Sequence, residues 1–376
     1  MPLFMCPSSR EDVSRQLLNS VPLPEAVMVI IRPIEPEDIE ALLDMASKAG
    51  VGVTTLPPNR ALLEAKIRVS VQSFSQQIPE DQAQYLFALE DVDVGRIIGV
   101  SAILARVGQQ DVWYNYRVST TVSTSRELDI HKCTPTLYLT NDMTGSTEIC
   151  TLFLDPDYRH RNNGQLLSKC RFMFIDDHSN LFASKIFAEM RGVSDDQGRS
   201  PFWQALGHHF FSIDFSEADY LTGIGQKSFI AELMPKYPIY LPMLGAEAQA
   251  AVGKVHQQTR PALAMLESEG FNFNGLIDIF DGGPLVEVFV NSIRTIRDSF
   301  NRQAFIVKHV DTDVRNSAFY MVSNRSFSCF RVGLITGDAI KSDTVSLSAE
   351  LAERLRVNSG DVVRLTALRD PRQRRN

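Results

Sequence analysis

Six consecutive residues, Arg159-His160-Arg161-Asn162-Asn163-Gly164, put three side chains able to carry positive charge, and a glycine, where an apolar run gives way to a helical pattern. Before them Ile149, Cys150 and the run TLFL (151–154) are apolar and stop at Asp155-Pro156, as a buried strand does. After them Leu166, Leu167, Cys170, Met173 and Phe174 recur at the spacing of one helical face. The first N–H groups of a helix have no intrahelical acceptor, and the helix dipole favours negative charge there. Strand, basic turn and helix together make an anion site whose expected guest is a pyrophosphate. A solvated arginine pair on an ordinary strand-turn-helix is the competing reading of these residues alone.

The turn resembles the Arg/Gln-x-x-Gly-x-Gly/Ala loop with which GNAT-type N-acyltransferases hold the pyrophosphate of coenzyme A. Asn162 stands where that pattern has its first glycine, and asparagine tolerates left-handed backbone better than other non-glycine residues. Longer runs carry a more specific likeness: WYNYRV (113–118), TLFLDPDYR (151–159), AEMRGV (188–193), SPFWQALG (200–207), GQKSFIAELMPKYPIY (225–240) and IDIFDGGP (277–284). Together these resemble the arginine N-succinyltransferases, in order from about Met28 to beyond Val363. The resemblance implies an α+β fold, a GNAT-type mixed sheet flanked by helices over residues 28–300, with a small β-rich, barrel-like domain at 303–370. It implies an acyltransferase that moves succinyl from succinyl-CoA to the α-amine of L-arginine, giving N2-succinylarginine and CoA in arginine catabolism. It assigns coenzyme contacts to the main chain of Leu152 and to Arg159, Arg161, Asn162, Asn163 and Gly164. It also makes His256, within GKVHQQTRPA (253–262), the proton donor.

The chemistry of the acceptor agrees with the α-amine. A guanidinium stays protonated at physiological pH and is a poor nucleophile. The imidazole of His256 has an unperturbed pKa near neutrality and suits proton transfer between amine and sulfur. Judged without the resemblance, His256 follows a helical pattern at 246–255 and reads as a helix-end histidine. The succinyl carboxylate needs a cation; Arg117 and Arg191, each at the end of an expected core strand, are the candidates, with structural ion pairs as the alternative. Asp142 and Glu148, in LYLTNDMTGSTE (137–148), are candidates to face the guanidinium unless that stretch is a solvated loop. An ornithine-preferring or mixed arginine/ornithine subunit is the near alternative, and a non-catalytic acyl-CoA or arginine sensor the distant one.

Composition bounds these readings. The 376 residues are 44% hydrophobic and 22% charged, the profile of a globular protein with one large and one small domain. A net charge of -7, from 38 basic and 45 acidic residues, argues against general nucleic-acid binding. Five scattered cysteines without paired spacing suggest neither disulfides nor a zinc site, so reduced thiols, a cytoplasmic location and no metal are expected. No run approaches the ~20 apolar residues of a membrane span. Succinyl-CoA is expected as co-substrate rather than as a permanent cofactor, and a homo-oligomer or a hetero-oligomer with a paralogous subunit as the assembly.

The elements that position these groups are also legible. Residues 28–34 read as a strand, 35–46 as a helix with acids in its first turn, and 62–74 as a second helix. Residues 85–90 and 97–106 form a hairpin, and 113–121 and 136–139 are strands separated by a polar insertion. Residues 185–190 are a second core strand. A helix from Pro201 buries Phe202, Trp203, Leu206 and Phe210. Residues 271–279 supply edge strands, and 294–302 a charged helix. The C-terminal module is expected to serve as a lid or an oligomer contact. Residues 1–27 lie outside the resemblance and read as a disordered or untranslated extension, and 371–376 as a basic tail.

Overall fold

The first apolar run forms β1 (Val29–Pro33), and Arg32 fixes the corner that follows it. Its guanidinium takes both Asp38 oxygens, at 2.7 and 2.8 Å, and one of Glu90 at 2.7 Å, so the acids at the helix start close a buried charge network. The structure is a computed structural model that describes residues 28–49, 55–195, 197–223, 228–308 and 317–370. The expected extension at 1–27 and the tail at 371–376 lie outside the described residues. A 3-10 turn, Pro36–Asp38, leads into α1 (Ile39–Ala49), and α2 (Arg60–Phe74) starts where the Asn59 side chain accepts the Leu62 N–H. Both helices bury apolar stripes against β2 (Gln84–Asp91) and β3 (Arg96–Leu104), the expected hairpin.

The next pair departs from expectation. β4 (Asn115–Ser125) and β5 (Ile130–Thr140) form one long hairpin in continuous register from Asn115↔Thr140 to Ser125↔Ile130, so the polar insertion is itself strand. VSTTVSTS is rich in β-branched residues, which suit a pleated surface even where neither face is buried. β6 (Thr147–Leu154), α3 (Asn163–Asp177) and β7 (Lys185–Glu189) follow, and α3 is buried on nearly every side from Leu166 to Ile175.

α4 (Pro201–Ala205) and α5 (Gly207–Phe211) replace the single helix expected from Pro201, and α6 (Phe215–Gly223) and α7 (Ser228–Leu233) follow. The chain breaks at Leu206 and turns over the Trp203 indole, which lies 2.2 Å from where a Cβ on Gly207 would be. Phe211, stacked on Trp203 at 5.2 Å, takes the buried place, and Phe210 is exposed. β8 (Ile239–Tyr240), α8 (Ala246–Ala251), α9 (Arg260–Glu267), β9 (Asn272–Ile277), β10 (Pro284–Phe289) and α10 (Arg294–Arg297) complete this part. The charged segment at 294–302 is thus one helical turn followed by strand.

β11 (Phe300–Val307), β12 (Phe319–Ser323), β13 (Val332–Thr336), β14 (Thr344–Ser348), α11 (Ala349–Leu355) and β15 (Val362–Ala367) close around a core of their own that includes Val322, Val345, Leu347, Leu355 and Val363. Among the described residues fifteen strands join one sheet, ordered β14-β11-β15-β12-β13-β1-β2-β3-β6-β7-β10-β9-β4-β5-β8. β6–β7 and β11–β14 are parallel and the remaining pairs antiparallel, so the sheet is mixed and the fold α+β. β9 is an interior rather than an edge strand, because the β4–β5 hairpin pairs onto it. The C-terminal strands continue the same sheet through Ile31↔Val332. No described helix is long and apolar enough to cross a membrane.

Candidate active site

β6 carries an extra residue. Val100 faces Phe153 and Ala102 faces Cys150, so Ser101 opposes both Thr151 and Leu152, and Thr151 takes the left-handed backbone, φ +53°, of a bulge. On its other edge β6 is registered with β7 only at Thr147↔Ile186 and Glu148↔Phe187. Beyond that point the two strands have no registered pairs, and the main chain around Leu152 lies where they part.

Arg171 anchors this bulge from α3, and the sequence reading missed it. Its side chain is 1% exposed and donates to Cys150 O at 3.2 Å, Ser168 O at 2.9 Å and Ser168 Oγ at 3.1 Å. Burial pulls its pKa down, yet an arginine keeps its charge. The Cys150 thiol, pushed up to about 12 by burial, is no nucleophile at neutral pH.

The turn between β6 and α3 is built as an open helix start. Asp155 accepts from Asp157 N–H at 3.1 Å, Lys48 at 2.9 Å and Arg96 at 3.3 Å. Although its burial opposes charge, these partners hold its carboxyl below the ordinary value. Arg159 Nε donates to Leu154 O at 3.1 Å. Arg161 and Asn162 both have left-handed backbone, φ +51° and +70°, which turns the chain into α3 without a side-chain cap. The first-turn N–H groups at Gly164 and Gln165 therefore stand at a helix end suited to an anion.

His256 sits at the far end of β7. The helix expected to carry it stops at Ala251, so it is not a helix-end histidine: it precedes a 3-10 turn, Gln257–Thr259, and its Nδ1 accepts the Gln258 N–H at 3.3 Å. Its own N–H donates to Arg191 O at 2.9 Å, beside a Gly192↔Val255 bridge. Beneath this junction Asp281 accepts from Gly192 N–H at 2.5 Å and Gly283 N–H at 2.8 Å, and Asp278 from Phe280 and Asp281 N–H at 2.7 and 2.9 Å. A Cβ at Gly192 would fall 2.5 Å from Asp281 Oδ1, and one at Gly283 would fall 2.2 Å from Met190 O. The glycines of RGV and DGGP are thus needed for close approach of backbones.

Burial raises Asp278 against the hydrogen bonds it accepts, and burial together with the charge of Asp278 raises Asp281 well above its ordinary value. Carboxyls raised on folding stabilise fully below their unfolded pKa, about 3.9, and lose that contribution as pH rises through the folded value. The contribution of this pair to thermal stability is therefore expected to fall above pH 4, against the rising contribution of carboxyls held low such as Asp142 and Asp155. Asp278→Asn keeps an oxygen for the two N–H groups and supplies a donor to Asp281. It should reduce this pair's pH dependence and raise the melting temperature at pH 8 by about 1–2 °C, for a gain of about 1 kcal/mol. A lower melting temperature with the native pH slope would show that the two carboxyls share no proton.

The remaining sequence candidates are scattered. Arg117 on β4 spends its charge on Asp142, at 2.5 and 2.9 Å, and hydrogen bonds from Thr140 and Arg117 keep that carboxyl below its usual range. Glu148 belongs to buried β6, not to a solvated loop. Arg191 donates to Ser194 Oγ at 3.0 Å, and its carbonyl carries the His256 contact. Among the described residues no three or more His, Cys, Asp or Glu side chains gather as a metal site.

Comparison with known proteins gives concordant matches. A family model described as arginine N-succinyltransferase beta subunit matches residues 29–295, and one described as its C-terminal domain matches residues 302–367. The arginine N-succinyltransferase of Yersinia pestis (strain Pestoides F) is 46% identical over 352 residues, 93% of this chain and 100% of that protein. That of Escherichia coli (strain 55989 / EAEC) is 48% identical over 343 residues, 91% of this chain and 98% of the relative. The solved structure of arginine/ornithine succinyltransferase subunit AI from Pseudomonas aeruginosa superposes with a TM-score of 0.84 at 34% identity, covering 92% of this chain and 100% of that one.

Proposed function

The chain belongs to the arginine N-succinyltransferase family, with its GNAT-type fold, and we propose that it joins succinyl from succinyl-CoA to the α-amine of L-arginine at the gap between β6 and β7. The observation that carries this reading is the parting of the parallel strands β6 and β7 toward their C-terminal ends, where β6 leads into an open helix start and the chain leaving β7 holds His256 through Arg191 O. The first-turn N–H groups of α3, with Arg159 and Arg161, hold the pyrophosphate, and the pantetheine arm runs into the gap. The amine attacks the thioester carbon, the C–N bond forms, and the Leu152 N–H receives the oxyanion. The C–S bond then breaks; the ammonium loses a proton and the thiolate gains one, with His256 as the relay. Arg191, whose carbonyl accepts the His256 N–H, is the remaining candidate for the succinyl carboxylate.

Supporting the acceptor assignment is the printed name of the relatives; the Pseudomonas aeruginosa protein, named for both arginine and ornithine, makes ornithine the close competitor. That protein is also called a subunit, and assembly with further copies or a paralogous subunit in the cytoplasm is part of this reading. A thiol-release assay with succinyl-CoA against arginine, ornithine and other amines tests it. Turnover preferring arginine is expected; preference for ornithine changes the substrate, and binding without turnover makes the protein a sensor.

The coenzyme loop adds a second test. A charge-assisted hydrogen bond is worth about 1.5–3 kcal/mol, so Arg161→Ala should raise KM for succinyl-CoA by roughly tenfold to a hundredfold and leave KM for arginine nearly unchanged. Arg159→Ala should do the same and also free Leu154 O. Equal rises for both substrates would remove the loop from coenzyme binding.

A further inference from the structure

We propose that the cavity between α3, α9 and the end of β15 is a phosphate subsite, and that it takes the 3′-phosphate on the ribose of succinyl-CoA. This rests on the reading of succinyl-CoA as the acyl donor. The cavity measures about 270 Å³ and is lined by Gln165 and Lys169 of α3, Met265 of α9, Ser268 just beyond it, Arg294 and Arg369.

Its charges do not balance. Glu269 is met by Arg294 Nη2 at 2.7 Å and Nε at 3.0 Å, by Lys169 Nζ at 3.0 Å and by the Thr295 N–H at 2.7 Å. Both cationic side chains are at most 4% exposed, so two buried cations share one buried carboxylate. At the rim Arg369 adds a third cation and Asp370 a second acid, leaving one positive charge over. Burial, with Arg294 close by, pulls the Lys169 ammonium below its ordinary value, as befits a cation short of negative charge. Leu368 O and Ala367 O accept from Lys169 and Arg294 at 2.7 and 3.0 Å, but carbonyls carry no net charge, and a bound anion would offset the surplus.

The cavity is continuous with the coenzyme loop. Arg369 Nη2 donates to Asn162 Oδ1 at 2.9 Å, and the Gln165 amide lies against Leu368 O at 3.1 Å and Arg369 Nε at 3.2 Å. Lys169 is five residues beyond Gly164, roughly 7.5 Å along α3 at 1.5 Å per residue. In the coenzyme a single ribose separates the 5′-pyrophosphate from the 3′-phosphate, so a pyrophosphate at the helix start brings the second phosphate within reach of the cavity. The C-terminal segment, expected to serve as a lid or an oligomer contact, supplies Arg369.

Calorimetric binding of succinyl-CoA and its 3′-dephospho analogue to the full chain tests this. Native protein should bind succinyl-CoA about tenfold to a hundredfold more tightly than the analogue. Arg369→Gln, at the exposed rim, should bring that ratio close to one while binding the analogue about as native protein does. Lys169→Met should shrink the ratio too, with circular dichroism checking that it folds. Equal native affinities, or a native ratio in Arg369→Gln, overturns the proposal. If inorganic phosphate protects native protein but not Arg369→Gln from thermal unfolding while both keep the same ratio, the cavity holds a free anion and the assignment to the coenzyme fails. Native protein that binds neither thioester overturns the reading beneath it as well.

Discussion

His256→Ala lowers kcat by about 10²–10⁴ while the dissociation constant of succinyl-CoA changes little, because a positioned acid–base group contributes that order and the coenzyme loop is built elsewhere. Each tenfold corresponds to 1.36 kcal/mol, so about 2.7–5.5 kcal/mol of transition-state stabilisation is at stake. The contact of the His256 main chain with Arg191 O survives the change, and the fold is expected to hold. What the alanine also removes is the acceptor for the Gln258 N–H. His256→Asn separates the two roles, since its amide oxygen restores an acceptor before the 3-10 turn but cannot relay a proton at neutral pH. Both variants should lose turnover alike. An asparagine variant with near-native turnover would reduce His256 to a cap.

The sequence disclosed the coenzyme side of this site because that chemistry is local: an apolar run, a basic turn and a helical stripe adjoin within 149–174. The acid–base side was legible only through resemblance. Its geometry depends on Asp281 reaching back 89 residues to Gly192, and no periodicity announces that two glycines must let backbones touch. Arg171 and Lys169 escaped notice for a related reason. In SKCRFMF each is a charged side chain of the type that helices usually present to solvent, and only Glu269, Arg294, Leu368 and the β6 bulge, all distant in the chain, bury them. Strand existence followed from alternation, but strand neighbours did not: β9 looked like an edge because the middle of the hairpin that covers it was read as a polar insertion.

The same long-range burial decides what happens when the chain is cut after Ser299: the remaining protein should not fold. Removing residues 300–376 takes Met321, Phe330, Val332 and Leu368 from the cluster that also holds Phe87, Phe174 and Met173. Phe330 lies 5.1 Å from Phe174 and 5.8 Å from Phe87, ring to ring, so the cut opens the core beside the coenzyme helix. At about 1.5–3 kcal/mol for each large apolar side chain, four of them amount to about 6–12 kcal/mol. That is comparable to the entire stability of an ordinary domain, about 5–15 kcal/mol. Further losses come from α3, where Asp177 would lose Arg325 and Arg364 and Lys169 would lose Leu368 O. β1 would also become a bare edge, its pairing through Ile31↔Val332 gone. Expression of the shortened chain should yield insoluble protein or a species without a cooperative melt, and no thiol release from succinyl-CoA. A soluble truncated protein melting cooperatively within a few degrees of the full chain would mean that residues 28–299 bury their core alone, and that the C-terminal strands are an appendage rather than part of the support for α3.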